Sequence, residues 1–270
     1  MTYATVMVHA EAAPGRQPRL RFAANVANLF GARLIGVGAE IFAPAFDLAS
    51  ATALALETAG IEDSIEQARL NFASIAKSAQ GGSEWRGFVG YPSETVAREC
   101  RAADLIVAGP SSHRLAAFHT CVEPAELLMR CGRPVLIAPE HEIEIDPTRV
   151  LVAWSDTREA RRAVTDALPF LRKASQVVMV HICATGGGED SEGVDDVAAM
   201  LQRHGVNAEG VVRPKGGAAR AQDLMAVAGE YGAGLLVAGG YGHSRLREWV
   251  FGGVTRGLLG ACRLPVLLSR

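Results

Sequence analysis

Apolar residues along the chain fall into two alternating patterns. Short continuous runs rich in Val, Leu and Ile occupy 4–9, 33–39, 84–89, 104–108 and 133–138, and again 149–153, 176–182, 208–213, 234–238 and 265–269. Between them the apolar positions take the three- and four-residue spacing of amphipathic helices, at about 18–31, 50–79, 92–103 and 122–131, then 157–172, 194–205, 218–231 and 253–262. A strand that is apolar throughout, with no polar residue at every second place, has no solvent face and must be covered on both sides. Such strands alternating with helices predict an α/β fold: a parallel, doubly wound sheet between helices, with right-handed crossovers.

The pattern occurs twice. DLIVAGPSSHRLAAFHTCVEPAELLMRCGRPVLIAP at 104–139 matches GLLVAGGYGHSRLREWVFGGVTRGLLGACRLPVLLSR at 234–270. From Leu115 and Leu246 onward the two run without a gap at an offset of 131, which sets Cys131 on Cys262 and Pro134 on Pro265. TVMVH at 5–9 matches VLVAW at 150–154 more loosely, as RLIGVGAE at 33–40 matches QVVMVHICA at 176–184. The chain therefore reads as a tandem duplication, with domains at 1–140 and 149–270, each a five-stranded sheet, and the charged stretch APEHEIEIDPTR at 138–149 as the linker. A length of 270 residues also favours two domains over one.

Composition narrows the function classes. Lys+Arg 27 against Asp+Glu 29 gives a net charge of -2, without the basic excess that nucleic-acid binders carry. No run of about 18 apolar residues is free of charges and turn residues, and the opening MTYATVMVHAEAAPG lacks a basic n-region, so neither a membrane partner nor export is expected. A cytoplasmic location follows by default. The five cysteines, Cys100, Cys121, Cys131, Cys183 and Cys262, are odd in number and form no C-x-x-C pair, so they are expected as buried small hydrophobes and not as a disulfide framework or a zinc site.

Candidate chemistry lies where an open α/β sheet binds ligands, at the carboxyl ends of the strands. The strand at 234–238 runs into Gly239, Gly240, Tyr241, Gly242, His243, Ser244 and Arg245, then LREWVF, then Gly252, Gly253, Val254 and Thr255 opening a helix: the pattern G-x2-G-x9-G-G-x-T. Glycines let a ligand approach the backbone closely. Free N–H groups at a helix start, with the Thr255 hydroxyl, suit a phosphate, and Arg245 and Arg247 add positive charge. The plainer reading is that these glycines only shape a strand-to-helix turn.

With the glycine pattern, its closing PVLL strand and the opening VLVAWSDTREARRAV of the second half, the chain resembles a tandem universal stress protein over essentially its whole length. The resemblance implies two Rossmann-like (adenine nucleotide alpha hydrolase-like) domains of five strands each and a stress-response role. It also implies an adenine nucleotide such as ATP or AMP as ligand, although some members bind none. Carried onto this sequence, Gly239, Gly242 and Gly252 are the loop glycines, with His243, Ser244, Arg245, Val254 and Thr255 around the phosphates. Gly253 stands where nucleotide-binding members usually carry Ser or Thr. Trp154, Ser155 and Asp156 follow the first strand of the domain, where those members place an acidic residue. Ser155 takes that place and Asp156 comes one step late, so the sequence does not require a metal-bridged triphosphate. Val180 and Ile182, at the end of the second strand, would flank an adenine or are ordinary core.

The first half departs from the pattern. Gly109 aligns with Gly239, but Ser112 replaces the second glycine, and Cys121 and Val122 fall where Gly252 and Gly253 stand. Glu11, in His9-Ala10-Glu11, reads as an acidic residue later still than Asp156. This half is expected to be a structural partner that has lost the loop. His113 and His243 occupy equivalent loop places, as phosphate donors or plain surface residues, and His9 and His181 read as core or rim groups. Slow nucleotide hydrolysis assisted by His243 and Arg245 is the sharpest enzyme reading, but no Walker lysine supports it. A binding module leads, with a nucleotide-independent interaction protein as the alternative.

Each half ends in a short apolar strand, 134–137 and 265–268, whose exposed edge must be covered. The resemblance implies that these last strands pair antiparallel as an intrachain pseudo-dimer, while Phe42, Phe46 and Leu54 offer a further apolar face for a homodimer. Truncation after Leu264 is accordingly expected to cause association or aggregation, read by size-exclusion chromatography with light scattering; a soluble monomer would contradict the pairing.

Overall fold

The computed structural model of the chain describes residues 2–41, 51–111, 119–183, 192–216, 220–241, 253–260 and 263–270. Its contacts divide into two compact units, Tyr3–Glu144 and Ile145–Arg270. The first holds strands β1 (Thr5–Ala10), β2 (Arg33–Glu40), β3 (Ser83–Val89), β4 (Leu105–Ala108) and β5 (Val135–Ile137). Helices α1 (Gln17–Phe30), α2 (Ala51–Ala76), α3 (Pro92–Glu99) and α4 (Pro124–Arg130) alternate with them. The second repeats the succession with β6 (Arg149–Trp154), α5 (Arg158–Leu171), β7 (Gln176–Cys183), α6 (Glu192–Arg203), β8 (Ala208–Pro214), α7 (Arg220–Glu230), β9 (Leu235–Gly239), α8 (Gly253–Leu259) and β10 (Val266–Ser269).

Within the first unit the strand order is β3-β2-β1-β4-β5, and within the second β8-β7-β6-β9-β10, every neighbouring pair parallel. This is the α/β, parallel-sheet fold that the alternating pattern predicts, and each predicted apolar run is one of these strands. The central strands are fully buried, as in Val6, Met7, Val8, Leu105, Ile106, Leu151, Leu235 and Leu236. The edge strands β3 and β8 are mostly half-exposed, which is why they carry Glu84, Arg86, Glu209 and Arg213. No described helix is long and apolar enough to cross a membrane.

Local chemistry sets the helix ends. The helix expected at 92–103 stops at Glu99 and continues as a 3-10 turn over Cys100–Ala102. The one expected from 122 begins at Pro124, with Glu123 as N-cap accepting from the Ala125 N–H at 3.4 Å and from Ser111 Oγ at 2.6 Å. α1 ends at Gly31, whose φ of 63° is the left-handed conformation that lets its N–H turn back onto Asn28 and Ala27 carbonyls. Of the four described cysteines, all free, Cys100 and Cys183 are buried as expected, but Cys121 and Cys131 are only half-buried.

The registers correct one alignment. Val6 pairs with Leu105 and Leu34 in the first unit, and Val150 pairs with Leu235 and Val177 in the second. Val6 is therefore the counterpart of Val150, which sets Ala10, not His9, on Trp154 and brings Glu11 onto Ser155. Because strand side chains alternate, this shift of one residue exchanges the faces. Glu11 is not a late acidic residue: it stands at the place that Ser155 takes in the second unit.

Two aromatic rings, Phe72 of α2 and Trp85 of β3, sit over glycines of β2. A Cβ at Gly36 would lie 2.6 Å from the Phe72 ring, and one at Gly38 2.6 Å from the Trp85 ring, while the two rings sit 5.6 Å apart. Gly36→Ala must displace the buried Phe72 and is expected to destabilise the chain by about 1–3 kcal/mol, as overpacking of a close-packed core does; urea unfolding measures it.

Candidate functional site

In the second unit the chain winds from β6 outward through β7 to β8, then returns to the other side of β6 with β9 and β10. The connections on either side of β6 diverge, which opens a crevice at the strand ends. A cavity of about 410 Å³ lies there, lined by the ends of β6 (Ala153, Trp154), β7 (Val180 to Cys183) and β9 (Ala238, Gly239), by Ser155 and Thr157, by Arg220 and Leu224 of α7, and by Tyr241 and α8 (Gly253 to Thr255).

Each side chain is held there by a local cause. Gly239 is required by packing: a Cβ on it would sit 2.6 Å from the Ala160 backbone N and 2.7 Å from the Glu159 carbonyl carbon, so the first turn of α5 rests directly on its backbone. That turn is capped by Thr157, whose Oγ1 accepts from the Ala160 N–H at 3.2 Å. After β9 the Gly240 N–H donates to the Ser269 carbonyl at 2.8 Å, tying the loop start to β10. Tyr241 then takes φ 61°, a left-handed conformation that a non-glycine residue holds only when its surroundings impose it. Its backbone N–H donates to Thr255 Oγ1 at 3.1 Å, and both residues are buried. The two ends of the glycine loop are thereby joined, and the Thr255 hydroxyl, one lone pair already used, still has its proton to donate.

Of the residues singled out from sequence, Trp154, Ser155, Val180, Ile182, Gly239, Gly253, Val254 and Thr255 line the cavity. Asp156 does not: its carboxylate pairs with the Arg161 guanidinium in solvent. A Cβ at Gly253 would meet no atom within 4 Å, so no steric reason excludes a Ser or Thr there. Gly242, His243, Ser244, Arg245, Arg247 and Gly252 lie outside the described residues, as do Ser112, His113, Phe42, Phe46 and Cys262. Nothing is described of the Leu54 side chain.

The tertiary structure adds Arg220 and Thr157, which sequence reasoning passed over, to the lining. Arg220 is an exposed cation on the cavity wall, and among the described residues it takes part in no hydrogen bond or ion pair. His181, read from sequence as core or rim, reaches the lining with its Nδ1 3.1 Å from the Trp154 carbonyl. Thr157 and Tyr241 complete the polar rim, and no carboxylate stands among the described lining residues. A charge-free run such as VVMVHIC gave no signal for His181, and Arg220 sits on a helix whose face could not be assigned before packing. Among the described residues no group of three or more His, Cys, Asp or Glu side chains could hold a metal ion.

The same place in the first unit is filled from within. Gly109 comes directly after β4, at the place where Gly239 ends β9, but a Cβ on it would lie 3.0 Å from an Arg19 guanidinium nitrogen, not against helix backbone. Arg19 pairs with Glu11 Oε1 and donates through Nη2 to the His9 carbonyl at 3.1 Å. Arg16 Nε lies 3.0 Å from Glu11 Oε2, His9 Nδ1 lies 3.5 Å from Oε1, and the Cys121 thiol donates to Oε2 at 3.3 Å. Burial alone pushes the Glu11 carboxyl up, but Arg19 and His9 together outweigh it and hold the group well below the usual carboxylate range. Burial and the Glu11 charge push the Cys121 thiol up. Trp85 covers Gly38, which by register is the counterpart of the cavity-lining His181.

Substituting Gly239 with Ala is expected to force α5 off β9 and narrow the cavity, lowering stability by at least about 1–3 kcal/mol, since the clash is with backbone. Thermal unfolding of the variant against the parent chain tests this, and an unchanged midpoint would contradict the close approach.

No protein-family model matches the chain, and no curated protein matches it. Among solved structures, a universal stress protein from Archaeoglobus fulgidus DSM 4304 is similar over 98% of this chain and 96% of its own, at 12% identity and a TM-score of 0.75. A functionally unknown protein from Pseudomonas aeruginosa PAO1 is similar over 99% of this chain and 92% of its own, at 12% identity and a TM-score of 0.59. At such identities it is the fold that is shared, and the chain has the fold of a tandem universal stress protein.

Proposed function

We propose that the second domain is a binding module for an adenine nucleotide, ATP or AMP, and that the chain acts as a nucleotide-responsive stress-response protein. The observation that carries this reading is the cavity at the sheet's crevice. It is about 410 Å³ in volume, within the range that small ligands occupy, with apolar walls at Val180, Ile182 and Leu224 and a polar side at Thr157, Thr255 and Arg220. A purine fits the apolar end, and the glycine loop of the sequence supplies backbone N–H groups for phosphate at the other. Asp156 is turned away toward Arg161, so the phosphate charge falls to Arg220 and the loop. Binding is accordingly expected without a divalent cation and without turnover.

Equilibrium dialysis and thermal-shift titration with millimolar ATP, ADP and AMP, each with and without EDTA, form the test. A saturable shift that survives EDTA and leaves the nucleotide intact is the expected result. No shift with any of the three would remove the nucleotide reading and leave a nucleotide-independent interaction protein. Arg220→Ala is expected to weaken binding roughly three- to tenfold, the scale of a charge-assisted contact at a partly exposed position, with unfolding in the absence of ligand unchanged.

A further inference from the structure

The charged cluster of the first domain has the composition of a binding site already in use. Two guanidinium groups and an imidazole converge on one carboxylate, and each carboxylate oxygen is engaged separately. Oε1 receives Arg19, and Oε2 receives Arg16 Nε at 3.0 Å and the Cys121 thiol at 3.3 Å. Donors on both oxygens are what a protein offers to a bound carboxylate or phosphate. The side chains of Glu11 and Arg19 are only 6% and 8% exposed, and Arg19 Nε is buried with no hydrogen-bond partner among the described residues. One carboxylate against two guanidinium groups leaves the cluster with net positive charge. The strand registers set Glu11 at the place of Ser155, which in the second domain lines an open cavity.

We infer that Arg16 and Arg19 form an anion-binding site in the first domain, suited to a small carboxylate or a phosphate group, and that the chain's own Glu11 occupies it. The occupant belongs to the same chain as the arginines it pairs with, and Arg19 lies only 8 residues on, so its effective concentration exceeds that of any ordinary free anion. The first domain is thereby closed while Glu11 is in place, and opens when the carboxylate is removed. This inference is independent of what the second domain binds.

Glu11→Ala in the full chain leaves a hollow lined by two uncompensated guanidinium groups. Its thermal unfolding midpoint in sodium chloride is expected to fall by roughly 10 °C, the scale of breaking a buried ion pair in a domain of this size. Sodium acetate at matched ionic strength should restore most of that loss saturably in the millimolar range, and sodium phosphate should do so if the hollow admits the larger anion. The parent chain should respond to acetate no more than to chloride; any response it shows to phosphate reports the second domain and is subtracted. Glu11→Gln, which keeps the volume and loses the charge, should be destabilised without acetate rescue, because no room is left. If Glu11→Ala does not accumulate folded, its refolding yield in acetate against chloride reads the same property. The inference is overturned if Glu11→Ala matches the parent in stability, if neither anion recovers it beyond chloride, or if acetate recovers the Ala and Gln variants equally.

Discussion

A parallel sheet buried on both faces obliges its connections to pass over one side or the other, and where their direction changes the strand ends part and leave a hollow. Both domains of this chain meet that constraint, between β1 and β4 in the first and between β6 and β9 in the second. A hollow at this depth needs polar partners, because strand ends line it, those of β6, β7 and β9 in the second domain, and backbone groups past a strand end have lost their ladder partners. It must be shaped by glycine backbone and left to solvent or a ligand, or it must be filled by side chains that satisfy one another.

The two copies take opposite solutions from the same starting fold. In the second, Gly239 allows α5 to rest on the strand end, and Tyr241 and Thr255 hold the two ends of the glycine loop, so the space above β7 stays open. In the first, Arg19 reaches across Gly109, Glu11 neutralises it, and Trp85 covers Gly38. A buried ion pair adds little net stability compared with apolar filling, since desolvation offsets much of the attraction. Its consequence is specificity of arrangement: once Arg19 is buried, only an anion in the position of Glu11 is tolerated there. The duplication thus divides the labour between an accessible crevice and a self-occupied one.

Most of the architecture was legible along the chain. All ten runs became strands: in the central ones no polar face interrupts the apolar pattern, while the edge runs at 84–89 and 208–213 carry charges, and the repeat announced the two domains. Glycines at 239 and 253 pointed to the crevice, since a strand running into glycines at the carboxyl edge marks where backbone must come close. The alignment of His9 with Trp154 was off by one residue, because short apolar runs match themselves equally well at neighbouring registers.

What the sequence alone determined is therefore the alternation of strands and helices, their duplication and the place of the glycine loop, all of which depend on neighbours close along the chain. The tertiary structure alone decided that Glu11 takes the place of Ser155, that Asp156 turns to Arg161 and leaves the cavity without its carboxylate, and that Arg220 and His181 reach the cavity wall. The Asp156–Arg161 pair spans only 5 residues, but the other outcomes depend on strand register and on packing between segments distant along the chain, and a one-residue change of register moves a side chain to the other face of the sheet.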